Sequence, residues 1–157
     1  MAASLRVDLA QFRALEAFAM FASDLDAASR QQLDRGQRLM ALLKQPAYSP
    51  YPLEEMTVSL WVGTTGRLDR IPTDDVLRFE HEFLDYLRRS HEGILAGIRE
   101  TLKFEDSTED QLASAYDSFL DQFETSDGQS VKAGKEEHVA LEDEDVEQEQ
   151  IVKQKRS

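Results

Sequence analysis

Four acidic side chains occupy positions at which carboxylate chemistry is conceivable. Glu80, Glu82 and Asp85 fall within one short segment, and Glu16 lies among apolar residues. A positioned carboxylate can act as a general acid, a general base or a metal ligand. On a helix, however, such groups are usually solvated or paired with an arginine. We interpret these four as surface or ion-pair residues, and the candidate partners are Arg13, Arg78 and Arg88.

The histidines and glycines form none of the familiar catalytic or nucleotide-binding motifs. None of the three histidines stands in HExxH, and none follows a glutamate at the spacing of di-iron bundles. The seven glycines form no phosphate loop, dinucleotide loop or nucleophile elbow. Cysteine is absent, which excludes disulfides and thiolate metal sites. We predict no catalytic residue, no metal site and no cofactor bound by this chain alone.

Charge and hydropathy narrow the classes of partner. The net charge is −13, and such a surface repels nucleic-acid phosphates and anionic lipid. No apolar run approaches the roughly 18 residues that span a bilayer. We therefore expect a soluble intracellular protein, with no nucleic-acid binding and no direct membrane insertion. Its 157 residues suffice for one core.

Apolar residues recur at helical spacing, and strand patterns do not accumulate, so we predict an all-α bundle of about five or six helices. The third helix is predicted to begin at Pro52, because proline is favoured in the first turn of a helix. Ser90 is expected to cap the fifth helix, and Ser107 begins a capping-box pattern for the last. The apolar faces predicted for the first, third and fifth helices are Leu5, Leu9, Phe12, Leu15 and Phe18; Met56, Leu60 and Trp61; and Ile94, Leu95, Ile98 and Leu102.

Composition changes after Gly128, which divides the chain into a helical domain over residues 1–126 and a charged tail over residues 127–157. The tail contains no aromatic residue, includes the acidic block 142–145 and ends in a basic cluster. It holds too little apolar surface to offset about 1–2 kcal/mol of backbone ordering entropy per residue. We predict a disordered acidic C-terminal tail.

The first fifty residues resemble a known pattern. The run LRVDLAQFRALEAFAMFASDLD at 5–26 is followed by Arg35-Gly36, then LLKQ at 42–45 and YSP at 48–50. These motifs, and weaker ones as far as residue 124, resemble the C-terminal helical domain of the F-type ATP synthase alpha subunit. The tail is similar to extensions on actinobacterial alpha subunits, where such extensions are implicated in limiting ATP hydrolysis.

The resemblance implies that the chain is part of a multi-subunit enzyme. In the family, a barrel and a P-loop domain precede this region, and they bind ATP or ADP with Mg²⁺. The chain would be a C-terminal part of the non-catalytic, regulatory alpha subunit in a proton-translocating enzyme that makes ATP. Its expected partners are beta and central-stalk subunits of a hetero-oligomer. Its expected location is peripheral, at the cytoplasmic face of the bacterial cell membrane.

The resemblance also implies two sites. Gln45 matches a position near the adenine of the nucleotide bound by alpha, although a second family glutamine is replaced here by Ala47. The alternative for Gln45 is an amide bonded to spare helix carbonyls. Asp24, Leu25 and Asp26 match an acidic turn near the central stalk, and one of the aspartates can also cap the second helix.

Two other functions remain open from the residues. One is a free-standing helical protein-interaction module without catalysis, which would use the same helices for another partner. The other is a carboxylate-based metalloenzyme, which the absent Glu-x-x-His elements disfavour. For the tail, the acidic block and basic end suggest a regulatory contact with the stalk, and a solubilising role is the alternative.

Overall fold

The computed structural model describes residues 2–18, 26–44 and 50–131, with side chains from Leu5 onward. These residues form a helical bundle, so the all-α prediction is confirmed. A short 3-10 turn at Thr73–Asp75 leads into α4. The helices are α1 (Ala2–Glu16), α2 (Ala27–Leu42), α3 (Leu53–Thr64), α4 (Val76–Ser90), α5 (Glu92–Thr101) and α6 (Asp106–Leu120).

An aromatic cluster joins α4 to α6 at the centre of the core. The Phe79 ring lies 5.0 Å from that of Phe123, 5.4 Å from Phe119 and 5.9 Å from Tyr116, and the rings meet edge to face. Edge-to-face pairs place the positive ring edge against the negative ring face. Phe83 stacks against Phe79 one helical turn later. The spacing of aromatic residues on both helices therefore fixes how α4 packs on α6.

The helix pair α1–α2 packs through one close approach. Phe12 of α1 is buried, and a Cβ added at Gly36 of α2 would lie 2.5 Å from the Cβ and Cγ of Phe12. Only glycine leaves room for that ring. The predicted α1 stripe is confirmed at Phe12, but Phe18 at its end is exposed. Leu5 and Leu9 of the same stripe are partly buried against the core, so α1 packs through these two leucines as well as through Phe12.

The third helix buries a different face from the predicted one. Trp61 is buried, as expected, and it shares the core with Val58 and Val62, whereas Met56 is exposed. Glu54 and Glu55 are buried in the first turn. The prediction that Met56 shares the buried face of Trp61 is wrong, because the helix is rotated to bring these glutamates against α4 and α5.

The predicted starts of the fifth and last helices are also wrong, and so is the predicted burial of Leu102. Ser90 is the last residue of α4, and α5 begins at Glu92. The last helix begins at Asp106, before Ser107, and its flanking residue makes no side-chain capping bond. Leu102 ends α5 in the left-handed region with φ of 53°, which turns its side chain to solvent.

Packing continues beyond residue 126, to the end of the described chain. Residues 124–131 form a tight turn closed by a bridge between Glu124 and Ser130, and Val131 is buried. The Asp75 carboxylate accepts hydrogen bonds from the backbone N–H and the hydroxyl of Ser126. The remainder of the predicted tail, 132–157, lies outside the described residues.

Candidate functional site

Asp26 is the one predicted site residue that the structure describes. It stands at the N-cap of α2, where its Oδ1 accepts a hydrogen bond of 2.7 Å from the Ser29 backbone N–H. This bond lowers the pKa of Asp26, because it favours the charged carboxylate. The capping role is therefore observed. Asp24, Leu25 and Gln45 lie outside the described residues, so their predicted contacts stay predictions.

An apolar cleft opens where α2 ends, just ahead of Gln45 in the chain. It has a volume of about 220 Å³ and lies between α2, α3 and α4. Leu43 and Met56 are both exposed, and so is Leu53 at the start of α3. We call Leu43, Leu53 and Met56 the apolar rim. Leu43 and Met56 line the cleft, and Leu53 lies outside its lining. The other lining residues are Leu42, Ser59, Leu60 and Glu80.

Glu80 is a buried carboxylate in this cleft. Only 4% of the residue is exposed, and the Tyr51 hydroxyl donates a long hydrogen bond of 3.5 Å to its Oε2. Burial raises the pKa of Glu80, because desolvation disfavours the charged form. The interpretation of Glu80 as a solvated or arginine-paired residue is therefore wrong. It is correct for Glu82 and Asp85, which pair with Arg78 and Arg88.

Two buried glutamates at the start of α3 hold three helices together. Arg88 of α4 donates to both oxygens of Glu55, at 2.7 and 2.8 Å, and Arg99 of α5 donates to Glu54 at 2.7 Å. A forked guanidinium matches a carboxylate geometrically, and negative charge suits a helix N-terminus. The pKa of Glu54 is lowered by bonds to its own backbone and to Arg99.

Sequence reasoning did not find these ion pairs. The partners are 33 and 45 residues apart, so no local spacing connects them. The available signal was two acidic residues in the first turn of a helix that begins after Pro52. Such residues are normally explained by the helix dipole alone.

The described residues offer several surfaces for contact. Within the ranges 2–18, 26–44 and 50–131, no three acidic or histidine side chains gather closely enough to hold a metal ion. The helices described there are also too short or too polar to cross a membrane. What this part of the chain presents is the apolar rim, the cleft beside it and the exposed N-cap residue Asp26.

A comparison with known families decides the assignment. The family described as ATP synthase alpha/beta chain, C terminal domain, matches residues 1–119. The chain belongs to this family. The match agrees with the alpha-subunit resemblance of residues 5–26, and it ends within α6, ahead of the turn at 124–131 and the charged tail.

The similar proteins all carry the name ATP synthase subunit alpha. The chain is 81% identical over 154 residues to the ATP synthase subunit alpha of a Nocardioides species, a match that covers 98% of this chain and 28% of the relative. It is 56% identical over 154 residues to the protein of the same name from Leifsonia xyli, again covering 98% and 28%. The Thermobifida fusca protein matches at 62% over 125 residues, covering 80% of this chain and 23% of the relative.

These coverages define what the chain represents. It spans less than a third of the length of these relatives and corresponds to the C-terminal part of an F-type alpha subunit. The Nocardioides match covers nearly the whole chain, so it extends beyond the family domain into the charged tail.

Proposed function

We propose that this chain is the contact-making C-terminal segment of the non-catalytic alpha subunit in a proton-translocating ATP synthase. The observation that carries the proposal is 81% identity to an ATP synthase subunit alpha across 98% of the chain. ATP or ADP with Mg²⁺ would be bound mainly by the rest of the subunit. We expect no ATP hydrolysis from the isolated chain, and turnover above that of a heat-denatured sample would contradict this division of roles.

The proposed partners are beta subunits and the central stalk of a hetero-oligomer at the cytoplasmic face of the bacterial membrane. The turn Asp24-Leu25-Asp26 would lie close to the stalk. Support comes from Asp26, which is exposed at the N-terminus of α2 while its carboxylate remains charged through the bond to Ser29. A charged, capped turn can meet a basic surface without unfolding the helix.

Cysteine cross-linking tests the stalk contact, because the chain contains no native cysteine. In an assembled ATP synthase carrying this segment in alpha, we expect Asp26→Cys to cross-link to a central-stalk subunit. Lys103→Cys, at an exposed position after α5, is the matched control and should not. Equal cross-linking from both positions, or none from position 26, would overturn the proposed contact.

Gln45 is proposed to contact the adenine of the nucleotide held by alpha. Its side-chain amide offers both a donor and an acceptor to an adenine edge. The cleft at the end of α2 supports this, since Leu42 and Leu43 line an apolar wall just before Gln45. In the assembled enzyme, Gln45→Ala should lower labelling of alpha by a photoreactive adenine nucleotide. Unchanged labelling would contradict the proposed adenine contact but would not affect the subunit assignment.

A further inference from the structure

Four arginines form a basic surface on an otherwise acidic molecule. Arg35 and Arg38 project from α2, and Arg67 and Arg70 lie in the loop after α3. We call these four the arginine surface. None of them forms a salt bridge with a carboxylate of the described residues, whereas every arginine of α4 and α5 does. Their positive charge is therefore not neutralised by a close ion pair within this part of the chain.

Neutral groups hold three of these guanidinium groups in place. Arg35 donates to the Thr64 carbonyl at 2.9 Å, and Arg38 donates to the Ile71 carbonyl at 2.6 Å. The guanidinium carbon of Arg67 lies 4.2 Å from the centre of the Trp61 ring and 4.9 Å from that of Tyr116. Carbonyls and aromatic faces position a cation without cancelling its charge.

Two hydrogen-bond donors of this surface lack acceptors. The Nε atoms of Arg35 and Arg67 are buried and have no partner. Beside Arg67 a cleft of about 340 Å³ opens between the loop and α6, and Arg70 lies on its wall. Two carboxylates reduce the local charge. Asp117 lines this cleft, and Asp69 Oδ2 lies with the Arg35 guanidinium beside Gly66, so a single external carboxylate would bind weakly. A ligand with several carboxylates fits the surface better.

The chain itself carries such a ligand. Glu142-Asp143-Glu144-Asp145 is its densest acidic run, which we call the acidic block. The described chain ends at Val131, in a turn that Ser126 ties to Asp75. Asp75 is four residues beyond Ile71, whose carbonyl binds Arg38. The turn before the tail is thus tied to the segment 71–75, and the first residue of that segment accepts the hydrogen bond from Arg38.

Chain length permits the contact. The ten residues between Val131 and Glu142 can bridge up to about 35 Å when extended. A folded domain of this size has a radius of gyration of only about 14 Å. Reach is therefore not limiting.

We propose that the acidic block docks on the arginine surface of its own domain. Its carboxylates accept hydrogen bonds from Arg67 and Arg70 beside the cleft, and from Arg35 and Arg38 along α2. The contact is intramolecular, so the short tether supplies a high effective concentration. While docked, the acidic block is withheld from any basic partner. This inference depends on residues of the chain alone and not on the proposed function.

A spin label on the full chain tests the docking. The label is attached to Val146→Cys, next to the acidic block, in a protein that has no other cysteine. At low salt we expect amide signals of residues 65–70 and 116–120 to be broadened more than those of α5. Neutralising the block as E142Q, D143N, E144Q and D145N, or raising salt to about 0.5 M, should weaken the broadening about fivefold.

Matched arginine variants make the test specific. Arg70→Gln should weaken the broadening, while Arg89→Gln, a highly exposed arginine on α4, should leave it unchanged. Both positions are exposed, so neither variant should disturb folding, which the unlabelled amide spectrum will show. Broadening that is absent, spread evenly over the surface, or insensitive to Arg70→Gln would overturn the proposal and assign the block to partners outside the chain.

Discussion

At the scale of single residues, buried charge determines how the start of α3 is held. Glu55 is 6% exposed and bonded through both oxygens to Arg88, while Arg89 on the same helix contacts Asp85 at only 3.9 Å. A buried carboxylate that loses its partner carries a desolvation cost that an exposed pair does not. The two neighbouring arginines should therefore differ sharply in their contribution to stability.

Arg88→Met should lower the free energy of unfolding by about 1–2 kcal/mol, a value reduced from that of fully buried pairs because Arg88 is partly exposed. Arg89→Met, the control, should change it by less than about 0.5 kcal/mol. Urea unfolding followed by circular dichroism measures both. Equal effects of the two substitutions would show that the ion pair between Arg88 and Glu55 stabilises the fold no more than the exposed pair of Arg89.

Glu80 should make stability depend on pH. Because burial raises the pKa of Glu80, the folded state binds its proton more tightly than the unfolded chain does. Its contribution to stability is therefore greatest below the unfolded pKa of about 4.3, and it falls as pH rises through the folded pKa. Glu80→Gln, a neutral substitute of similar shape, removes this loss.

The expected result is that Glu80→Gln gains stability relative to the parent protein between pH 4 and pH 7. Urea midpoints at several pH values measure the difference. Glu82→Gln removes a carboxylate from the exposed side of the same helix, and its effect should change less across this range. A Glu80→Gln difference that is the same at pH 4 and pH 7 would refute the assignment.

At the scale of elements, the α1–α2 pair depends on a glycine and the rest of the bundle on aromatic packing. Gly36 lets the Phe12 ring lie against the backbone of α2, whereas the space around Gly97 of α5 is open. The same substitution at the two positions should therefore have opposite effects.

Gly36→Ala should destabilise the chain by about 1–3 kcal/mol, because the added methyl group overlaps Phe12 and forces the helices apart. Gly97→Ala should stabilise it by about 0.5–1 kcal/mol through helix propensity. Thermal unfolding compares the two variants. A stabilising Gly36→Ala would mean that α1 does not pack on α2 as described.

At the scale of the whole molecule, exposed apolar side chains are consistent with a domain that belongs to a longer protein. Leu43 and Met56 of the apolar rim line one cleft, and Leu53 is exposed one helical turn before Met56. The relatives are more than three times as long as the chain. Clustered apolar side chains commonly mark an interface, and scattered ones do not.

Met56→Lys should therefore reduce binding of a hydrophobic dye by the isolated chain. The matched control is Leu77→Lys, since Leu77 has the same 38% exposure as Met56 but lies outside the lining of this cleft. Dye fluorescence titrated against each purified variant measures the effect. Equal loss in both variants would indicate general surface hydrophobicity and not a defined apolar rim.

The sequence by itself determined the family, the helical class and most of the core. Apolar residues at helical spacing predicted the burial of Ile94, Leu95 and Ile98, because such spacing places side chains on one face of a helix. Motifs between residues 5 and 50 carried the alpha-subunit resemblance that the family match bears out. These features are local, and a linear pattern can express them.

Only the tertiary structure decided which charges are buried and which face of α3 points inward. Glu54, Glu55 and Glu80 are as polar in sequence as Glu82, yet neighbouring helices bury the first three and leave Glu82 exposed. The rotation of α3 follows from partners 33 and 45 residues away, which no local period encodes. Long-range packing overrides local pattern at these positions, because ion pairing and desolvation depend on what lies across the interface.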